Sequence, residues 1–198
     1  MASDGRLLRL PQEDMCQAMS VPPPRKYQSD GSPGIAEITE LLKGSDTSED
    51  DTAVFLRACV LFCLLGATDG HAKNFSIFLS PGGRFHMTPL YDVLSAQPSL
   101  DGGEISRNKF KLAMSVGRSR HYLVNNITPR HFIETAGIAG VGSPVMRGIF
   151  NDIAANAERQ AKAVIASLQP GFPEQLIEAV TSGIGRRAAL LGDTSADP

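Results

Sequence analysis

The sequence predicts a mainly α protein of the α+β type, a bundle of helices that carries one small β-hairpin. Several segments space their apolar residues three and four apart, which is the period of a helix. Between 75 and 87, two short alternating segments flank Ser-Pro-Gly-Gly, which is typical of a hairpin turn. At 198 residues the chain fits a single domain, 1–198, with a sizeable core.

Composition narrows the functional classes. The chain is 42% hydrophobic and 20% charged with a formal net charge of -2, so it has no overall basic character for nucleic acid or an anionic membrane. It has no apolar run of about 18 residues. The charged N-terminus argues against a signal peptide, and three cysteines suit a reducing compartment. We expect a cytoplasmic protein without a membrane partner.

The N-terminal third predicts two helices separated by a loop. Pro11 pre-sets a helical first turn, and the following acids suit its positive end, so 11–20 is predicted helical. Dense Pro and Gly predict a loop over 21–34. A short helix follows over 35–43, and Gly44 is placed to end it.

The central third holds the most apolar helix and the hairpin. Thr47 or Ser48 is a candidate N-cap for a helix that runs to Gly66, and its second half is apolar all round, which predicts burial. After the hairpin, 88–96 is predicted as a short apolar strand and 99–108 as a loop. The segment 109–114 reads equally as a strand or a short helix.

The C-terminal part is predicted helical. A threonine before Pro129 and a serine before Pro144 begin two helices, because proline is favoured in a first turn. Predicted helices cover 127–139, 143–168 and 172–191, and 192–198 is expected to fray.

Polar residues gather where two buried segments meet. Asp69, His71, Lys73 and Asn74 lie between the apolar helix and the hairpin. Polar groups there lose hydration unless a cleft or hydrogen-bonding partners accommodate them. This crowding favours a functional site.

The spacing of three of these residues suggests phosphoryl transfer. Asp69 and Asn74 form a D-x4-N pattern, and Asp92 follows on another element. Such chemistry needs one carboxylate at the attacking hydroxyl, and an amide oxygen with a second carboxylate to hold Mg²⁺. The pattern matches a kinase catalytic loop and its metal-binding aspartate.

Structural explanations remain open for each residue. Asp69 with Gly70 could simply form a turn, His71 could be a buried structural histidine, and Lys73 could be solvated. Asp92 could cap the next turn. The remaining histidines share no spacing with the cluster and are predicted to be structural or at the surface: His86, His121 and His131.

Several motifs, in order, resemble one known family. The segments RLLRLPQEDMCQA, KYQSDGSPGIA, GATDGHAKNFSIFL and TPLYDVLSA resemble HipA, the serine/threonine kinase toxin of bacterial toxin–antitoxin pairs. The resemblance covers nearly the whole chain but only the C-terminal part of the family. It implies the fold of a protein-kinase-like C-terminal lobe.

The resemblance also implies roles. Asp69 would be the catalytic base, and Asn74 with Asp92 would bind Mg²⁺. ATP would be bound in and beside the motif by His71, Ala72, Lys73, Asn74, Tyr91 and Asp92. The family phosphorylates a serine of glutamyl-tRNA synthetase and is held inactive by the antitoxin HipB on operator DNA. A HipB-like antitoxin is therefore the expected partner, with DNA reached only through it.

No phosphate-cradling glycine loop with a partner lysine is found near the N-terminus. We therefore expect the N-terminal ATP-binding lobe to be absent from this chain and the lobe alone to be inactive. Two alternatives are a non-catalytic module that binds a HipB-like antitoxin, and a metal-dependent hydrolase that uses Asp69, His71 and Asp92.

Overall fold

The computed structural model describes residues 9–191, in which helices form the body and two small antiparallel sheets lie against it. The helices are α1 Met15–Ala18, α2 Ile35–Leu42, α3 Ser48–Leu65, α4 Gln97–Asp101, α5 Pro129–Ile138, α6 Ser143–Ser167 and α7 Glu174–Ala188. The strands are β1 Gln12–Asp14, β2 Ser76–Ser80, β3 Arg84–Met87, β4 Lys111–Val116 and β5 His121–Leu123. The predicted fold class is confirmed, whereas the predicted fraying of 192–198 lies outside the described residues.

Helix α3 is the centre of the core, as its apolar second half predicts. It packs against α2, α6, α7 and β3. Phe55 and Phe62 both pack on Phe75, with ring centroids 4.9 Å and 5.4 Å apart. The helix ends at Gly66, whose φ of 65° is the left-handed conformation that glycine adopts without a steric penalty. The predicted N-cap position is Thr47, but its side chain makes no capping hydrogen bond.

The predicted hairpin is the centre of the first sheet, whose strand order is β1-β2-β3. Ile77 pairs with Met87 across β2 and β3. The buried Asp51 carboxylate in the first turn of α3 accepts a hydrogen bond of 2.9 Å from the Met87 amide, and so joins the hairpin to the core helix.

The predicted helix over 11–20 is wrong in its first half. Residues 12–14 form β1, with Gln12 opposite Phe78, and only Met15–Ala18 is helical. The carbonyl of Pro11 accepts a hydrogen bond from the Leu79 amide at 2.9 Å. Pairing with β2 therefore overrides the local helix-start signal, and Asp14 becomes the N-cap, accepting from the Gln17 amide at 2.9 Å.

The predicted strand over 88–96 is also wrong, because this segment has no regular secondary structure except as the approach to α4. It is held at its two ends. The Thr88 amide donates to the Ser76 carbonyl at 2.9 Å, and the Ala96 amide donates to the Gly66 carbonyl at 2.9 Å. The predicted loop over 99–108 is wrong in part, since its first residues complete α4.

The open choice for 109–114 is decided in favour of a strand, β4, which pairs with β5. The predicted loop over 21–34 holds only a short 3-10 turn, Gln28–Asp30. Gln28 fastens this loop to β4, because its side-chain oxygen accepts hydrogen bonds from the Ser115 amide at 2.7 Å and the Ser115 hydroxyl at 2.9 Å.

The C-terminal helices agree with prediction to within a few residues. Arg187 of α7 lies buried against the end of α3, where its Nε donates to the Leu64 carbonyl at 2.8 Å. Its Nη1 donates to the Gln97 side-chain oxygen at 2.8 Å. This guanidinium therefore satisfies a carbonyl in the last turn of α3, where helix carbonyls lack intrahelical partners. Across residues 9–191, no helix has the length and apolar character needed to cross a membrane.

Candidate active site

The turn after α3 places Asp69 at the surface over a buried floor. Gly70, the next residue, is buried, and a Cβ atom at that position would be 2.1 Å from Cδ2 of Phe62. Only glycine lets the chain pass this close to the aromatic ring. The Asp69 side chain is 60% exposed, so an incoming hydroxyl group has access to its carboxylate.

Three side chains approach the same oxygen of Asp69. The Tyr27 hydroxyl donates to Oδ1 at 2.8 Å, while Lys26 Nζ and His71 Nε2 each lie 3.8 Å from it. The contact with Tyr27 is the main cause of a raised pKa of Lys26, and the negative charge on Asp69 raises this pKa further. One carboxylate oxygen is therefore held in a polar, positively charged setting.

His71 forms a buried wall of the site. Its ring meets Tyr27 edge to face, with centroids 5.4 Å apart. Burial, partly offset by the charge on Asp69, lowers its pKa, so the imidazole is neutral near pH 7. Its Nδ1 is buried and has no hydrogen-bond partner within residues 9–191.

Asn74 and Asp92 meet although they are far apart in the chain. Asn74 Nδ2 donates to Oδ2 of Asp92 at 2.7 Å, and Asn74 Oδ1 accepts from the His71 amide at 3.3 Å. Asp92 has a φ of 56°, a conformation that non-glycine residues adopt rarely and that clusters at functional sites.

The donor chemistry of this pair fits Mg²⁺, which prefers oxygen and uses one or two carboxylates besides substrate phosphates. Asp92 offers its carboxylate directly. Asn74 presents its amide nitrogen to Asp92, so it would have to rotate about χ2 to present its oxygen. No group of three or more His, Cys, Asp and Glu residues suited to a metal exists between residues 9 and 191.

Lys73 and Tyr91 are both engaged by neighbours. Lys73 Nζ donates to Oδ2 of Asp14 at 2.9 Å, and this bond raises the pKa of Lys73. The Tyr91 hydroxyl donates to the Lys73 carbonyl at 2.8 Å and lies 2.5 Å from Oγ of Ser76. Burial raises the pKa of Tyr91. The Tyr91 ring, 36% exposed, keeps a free surface beside Asp92.

The structure thus brings the predicted site residues together: Asp69, Lys73, Tyr91 and Asp92 reach the surface, whereas His71 and Asn74 are buried among them. Ala72, in the same short turn as Lys73 and Asn74, is fully buried. Three participants were missed from the sequence: Tyr27, Lys26 and Asp14. Two signals could have found them: Lys26 and Tyr27 sit in a Pro- and Gly-rich loop, where functional residues are common, and all three residues lie in segments that resemble the family.

Matches to known proteins define the class of the chain. The model of the HipA-like C-terminal domain family matches residues 3–161, and the chain belongs to this family.

Individual relatives agree with this assignment. In Sinorhizobium fredii (strain NBRC 101917 / NGR234), the protein named "Putative kinase Y4mE" is 36% identical over 166 residues, covering 82% of this chain and 37% of that protein. A second protein there, "Putative kinase Y4dM", is 30% identical over 130 residues, covering 63% of this chain and 31% of that protein. The chain therefore spans about a third of the length of these curated relatives.

A solved structure shares the fold. A chain of the Shewanella oneidensis MR-1 toxin–antitoxin complex of HipA, HipB and operator DNA superposes with a TM-score of 0.76 at 20% identity. The match covers 96% of this chain and 44% of the other. At this identity the likeness establishes the shared fold.

Proposed function

We propose that the chain is the catalytic lobe of a HipA-type serine/threonine protein kinase, which transfers the γ-phosphoryl group of ATP to a protein serine. The contact between Asn74 and Asp92 carries this proposal. It links the D-x4-N segment to a distant carboxylate in one continuous polar cluster, the set that phosphoryl transfer requires.

Asp69 acts on the substrate in this proposal. Its exposed carboxylate orients the serine hydroxyl and takes its proton as the new oxygen–phosphorus bond forms. The bond between the γ-phosphorus and the bridging oxygen breaks at the same time, and ADP leaves with that oxygen. Proper alignment of the hydroxyl is the main contribution, because phosphoryl transfer depends chiefly on positioning and charge.

The remaining residues serve the nucleotide. Asp92 and Asn74 would hold Mg²⁺, which when bound neutralises charge on the phosphates. Lys73, which is held by its hydrogen bond to Asp14, would place a positive charge beside the ATP phosphates. The neutral imidazole of His71 would offer a hydrogen-bonding group next to the phosphates. Ala72 supports this turn from below, and the Tyr91 ring borders it.

The substrate and partner are proposed from the family. By resemblance to HipA, the acceptor is a serine of glutamyl-tRNA synthetase. The names of the Sinorhizobium relatives support kinase chemistry, and both relatives are much longer than the matched region.

The experiment is phosphate transfer from radiolabelled ATP by the full-length gene product that carries this sequence, with glutamyl-tRNA synthetase as acceptor. Asp69→Asn is expected to lower kcat by about 10²- to 10⁴-fold, the usual contribution of a general base. Asp30→Asn, an exposed carboxylate bonded to Ser29, is the matched control. Full activity in Asp69→Asn, or none in the unsubstituted protein, contradicts the proposal.

A second function is binding of a HipB-like antitoxin, which could also operate without catalysis. It is supported by the likeness to a chain solved with HipB and operator DNA. By resemblance to the family, DNA would be reached only through the antitoxin. The stretch 131–146 contains no Lys or Arg to neutralise phosphates, and Arg118, Arg120 and Arg130 form only a small basic group. Co-purification with a small helix-turn-helix protein encoded beside the gene tests this function, and failure to bind that protein contradicts it.

A further inference from the structure

The loop 21–34 brings a phenol group to the proposed catalytic base. All three contacts to the Asp69 carboxylate end on Oδ1: the hydrogen bond from Tyr27 at 2.8 Å and the approaches of Lys26 and His71 at 3.8 Å. No hydrogen bond or ion pair among the described residues ends on Oδ2. The two oxygens of one carboxylate are therefore in different environments.

The loop does not depend on this contact for its own position. Gln28 anchors it to β4 through the two hydrogen bonds from Ser115, and the Tyr122 hydroxyl lies 3.4 Å from the same oxygen. The carbonyl of Tyr27 also accepts from the amides of Asp30 at 2.9 Å and Ser32 at 3.1 Å. The backbone is fixed, and the phenol is then directed at Asp69.

The phenol ring is itself confined on two sides. His71 meets it edge to face, and the Lys26 ammonium lies 4.7 Å from its centroid. Cation–π and edge-to-face contacts both favour one ring position. A hydroxyl group on a ring held in this way restricts the rotation of the exposed Asp69 carboxylate.

We propose that Tyr27 is a positioning residue for the transfer reaction: it holds Oδ1 of Asp69, so that Oδ2 is presented to the serine hydroxyl of the substrate. This inference rests on the kinase function proposed above. It predicts an effect on the rate of the chemical step and little effect on nucleotide binding. Removing the Tyr27 hydroxyl keeps the ring that packs against His71, and Tyr27 makes no hydrogen bond to Asn74 or Asp92 in the described structure.

The kinetic test uses the full-length gene product with Tyr27→Phe, which removes one oxygen and keeps the ring. The expected kcat is about 10- to 100-fold lower, the scale reported for small misplacements of reacting groups. The KM for ATP stays within about twofold, as expected when only transition-state interactions are lost. Tyr122→Phe removes a hydroxyl on β5 that lies 3.4 Å from the Gln28 side-chain oxygen and is the matched control. It keeps its kcat, because the two shorter bonds from Ser115 still anchor the loop.

The outcomes separate the two proposals. If Asp69→Asn is inactive but Tyr27→Phe keeps full kcat, the positioning role is wrong and the kinase function stands. If Asp69→Asn itself keeps full activity, the kinase function is wrong.

A spectroscopic test leaves Tyr27 unchanged, which avoids any folding defect of that variant. In the full-length gene product labelled with 3-fluorotyrosine, single Tyr→Phe variants assign the ¹⁹F signals of Tyr27, Tyr91 and Tyr122. Asp69→Ala is expected to shift the Tyr27 signal and leave that of Tyr122 in place. An unmoved Tyr27 signal overturns the contact and the inference with it.

Discussion

Asp92 accepts a hydrogen bond of 2.7 Å from Asn74, although it lies 18 positions further along the chain. The intervening chain makes this contact possible. It runs through the hairpin and returns along 88–96. This segment is fixed at both ends by backbone hydrogen bonds, from Thr88 to β2 and from Ala96 to Gly66 at the end of α3. The Tyr91 hydroxyl, bonded to the Lys73 carbonyl, secures the residue next to Asp92. The arrangement therefore depends on backbone contacts at both ends of the segment.

The variant Asp92→Asn tests the role of Asp92 in metal binding while leaving the fold intact. Asparagine tolerates a positive φ, and its side-chain oxygen still accepts from Asn74, so the thermal midpoint should hardly change. The affinity for Mn²⁺ in the presence of a non-hydrolysable ATP analogue should fall at least about tenfold, because a charged ligand is lost. Electron paramagnetic resonance titration of the full-length gene product measures it.

Asp46→Asn is the control, since this carboxylate pairs loosely with Arg84 at 3.7 Å, away from the site. Equal Mn²⁺ affinity in Asp92→Asn and the unsubstituted protein would exclude Asp92 as a metal ligand.

Gly70→Ala tests the floor of the site. The added Cβ would overlap Phe62, whose ring is held by stacking on Phe75. We expect a loss of about 1–3 kcal/mol in the free energy of unfolding, the usual cost of overpacking. Urea denaturation measures the change. Gly148→Ala, in the open interior of α6, should instead stabilise the protein by about 0.5–1 kcal/mol. Changes of the same sign in both variants would contradict the proposed overlap.

Arg187→Met tests how α7 supports the end of α3. Methionine fills similar volume but leaves the buried Leu64 carbonyl and Gln97 side chain without their donors. The expected loss in the free energy of unfolding is about 2–4 kcal/mol, since hydrogen bonds from charged groups are involved. Arg186→Met, at the exposed neighbouring position, should change stability by less than about 0.5 kcal/mol. Comparable losses in the two variants, by urea denaturation, would refute the specific role of Arg187.

The stacked histidines predict a pH dependence of stability. His121 and His131 rings lie 3.9 Å apart, and burial, then the neighbouring His121, lowers the pKa of His131. The other charged groups acting on it are Glu134 and Arg130. Because the unfolded chain keeps a value near 6.5, it binds more protons, so stability falls as pH drops below about 6.5.

The variant His131→Gln isolates this contribution. A glutamine oxygen can replace Nδ1 as acceptor for the Thr128 amide, which now donates at 3.1 Å, and it does not titrate. Between pH 7.5 and about 5.5, the decrease in the free energy of unfolding should be smaller than in the parent, by at most about 1.4 kcal/mol per pH unit. His71, whose pKa is also lowered, keeps part of the dependence.

The control is His86→Gln, on β3 and in contact with Phe78. If the free energy of unfolding of His131→Gln falls with pH as steeply as that of the parent, His131 does not contribute to the pH dependence of stability.

Local signals predicted much of the fold. The apolar second half of α3 predicted a buried helix, and Ser-Pro-Gly-Gly predicted the hairpin, because periodicity and turn chemistry depend on neighbouring residues. The predictions failed where a distant partner decided the outcome. Pro11 read as a helix start, yet its segment pairs with β2. The segment 88–96 read as a strand, although it pairs with none of the described strands.

The candidate site divides in the same way. The crowding of Asp69, His71, Lys73 and Asn74 was visible in the sequence, and Asp92 was suggested by its chemistry. The participation of Tyr27 was not visible, since Asp69 lies 42 positions further along the chain.

By itself, then, the sequence determined the helical class, the hairpin, the family resemblance and the segment in which polar groups meet two buried elements. Only the tertiary structure decided which oxygen of Asp69 is held, that Lys73 is paired with Asp14, and that Asp92 lies against Asn74. These contacts join side chains far apart along the chain, so their geometry follows from how the loop 21–34 and the segment 88–96 are anchored to the core.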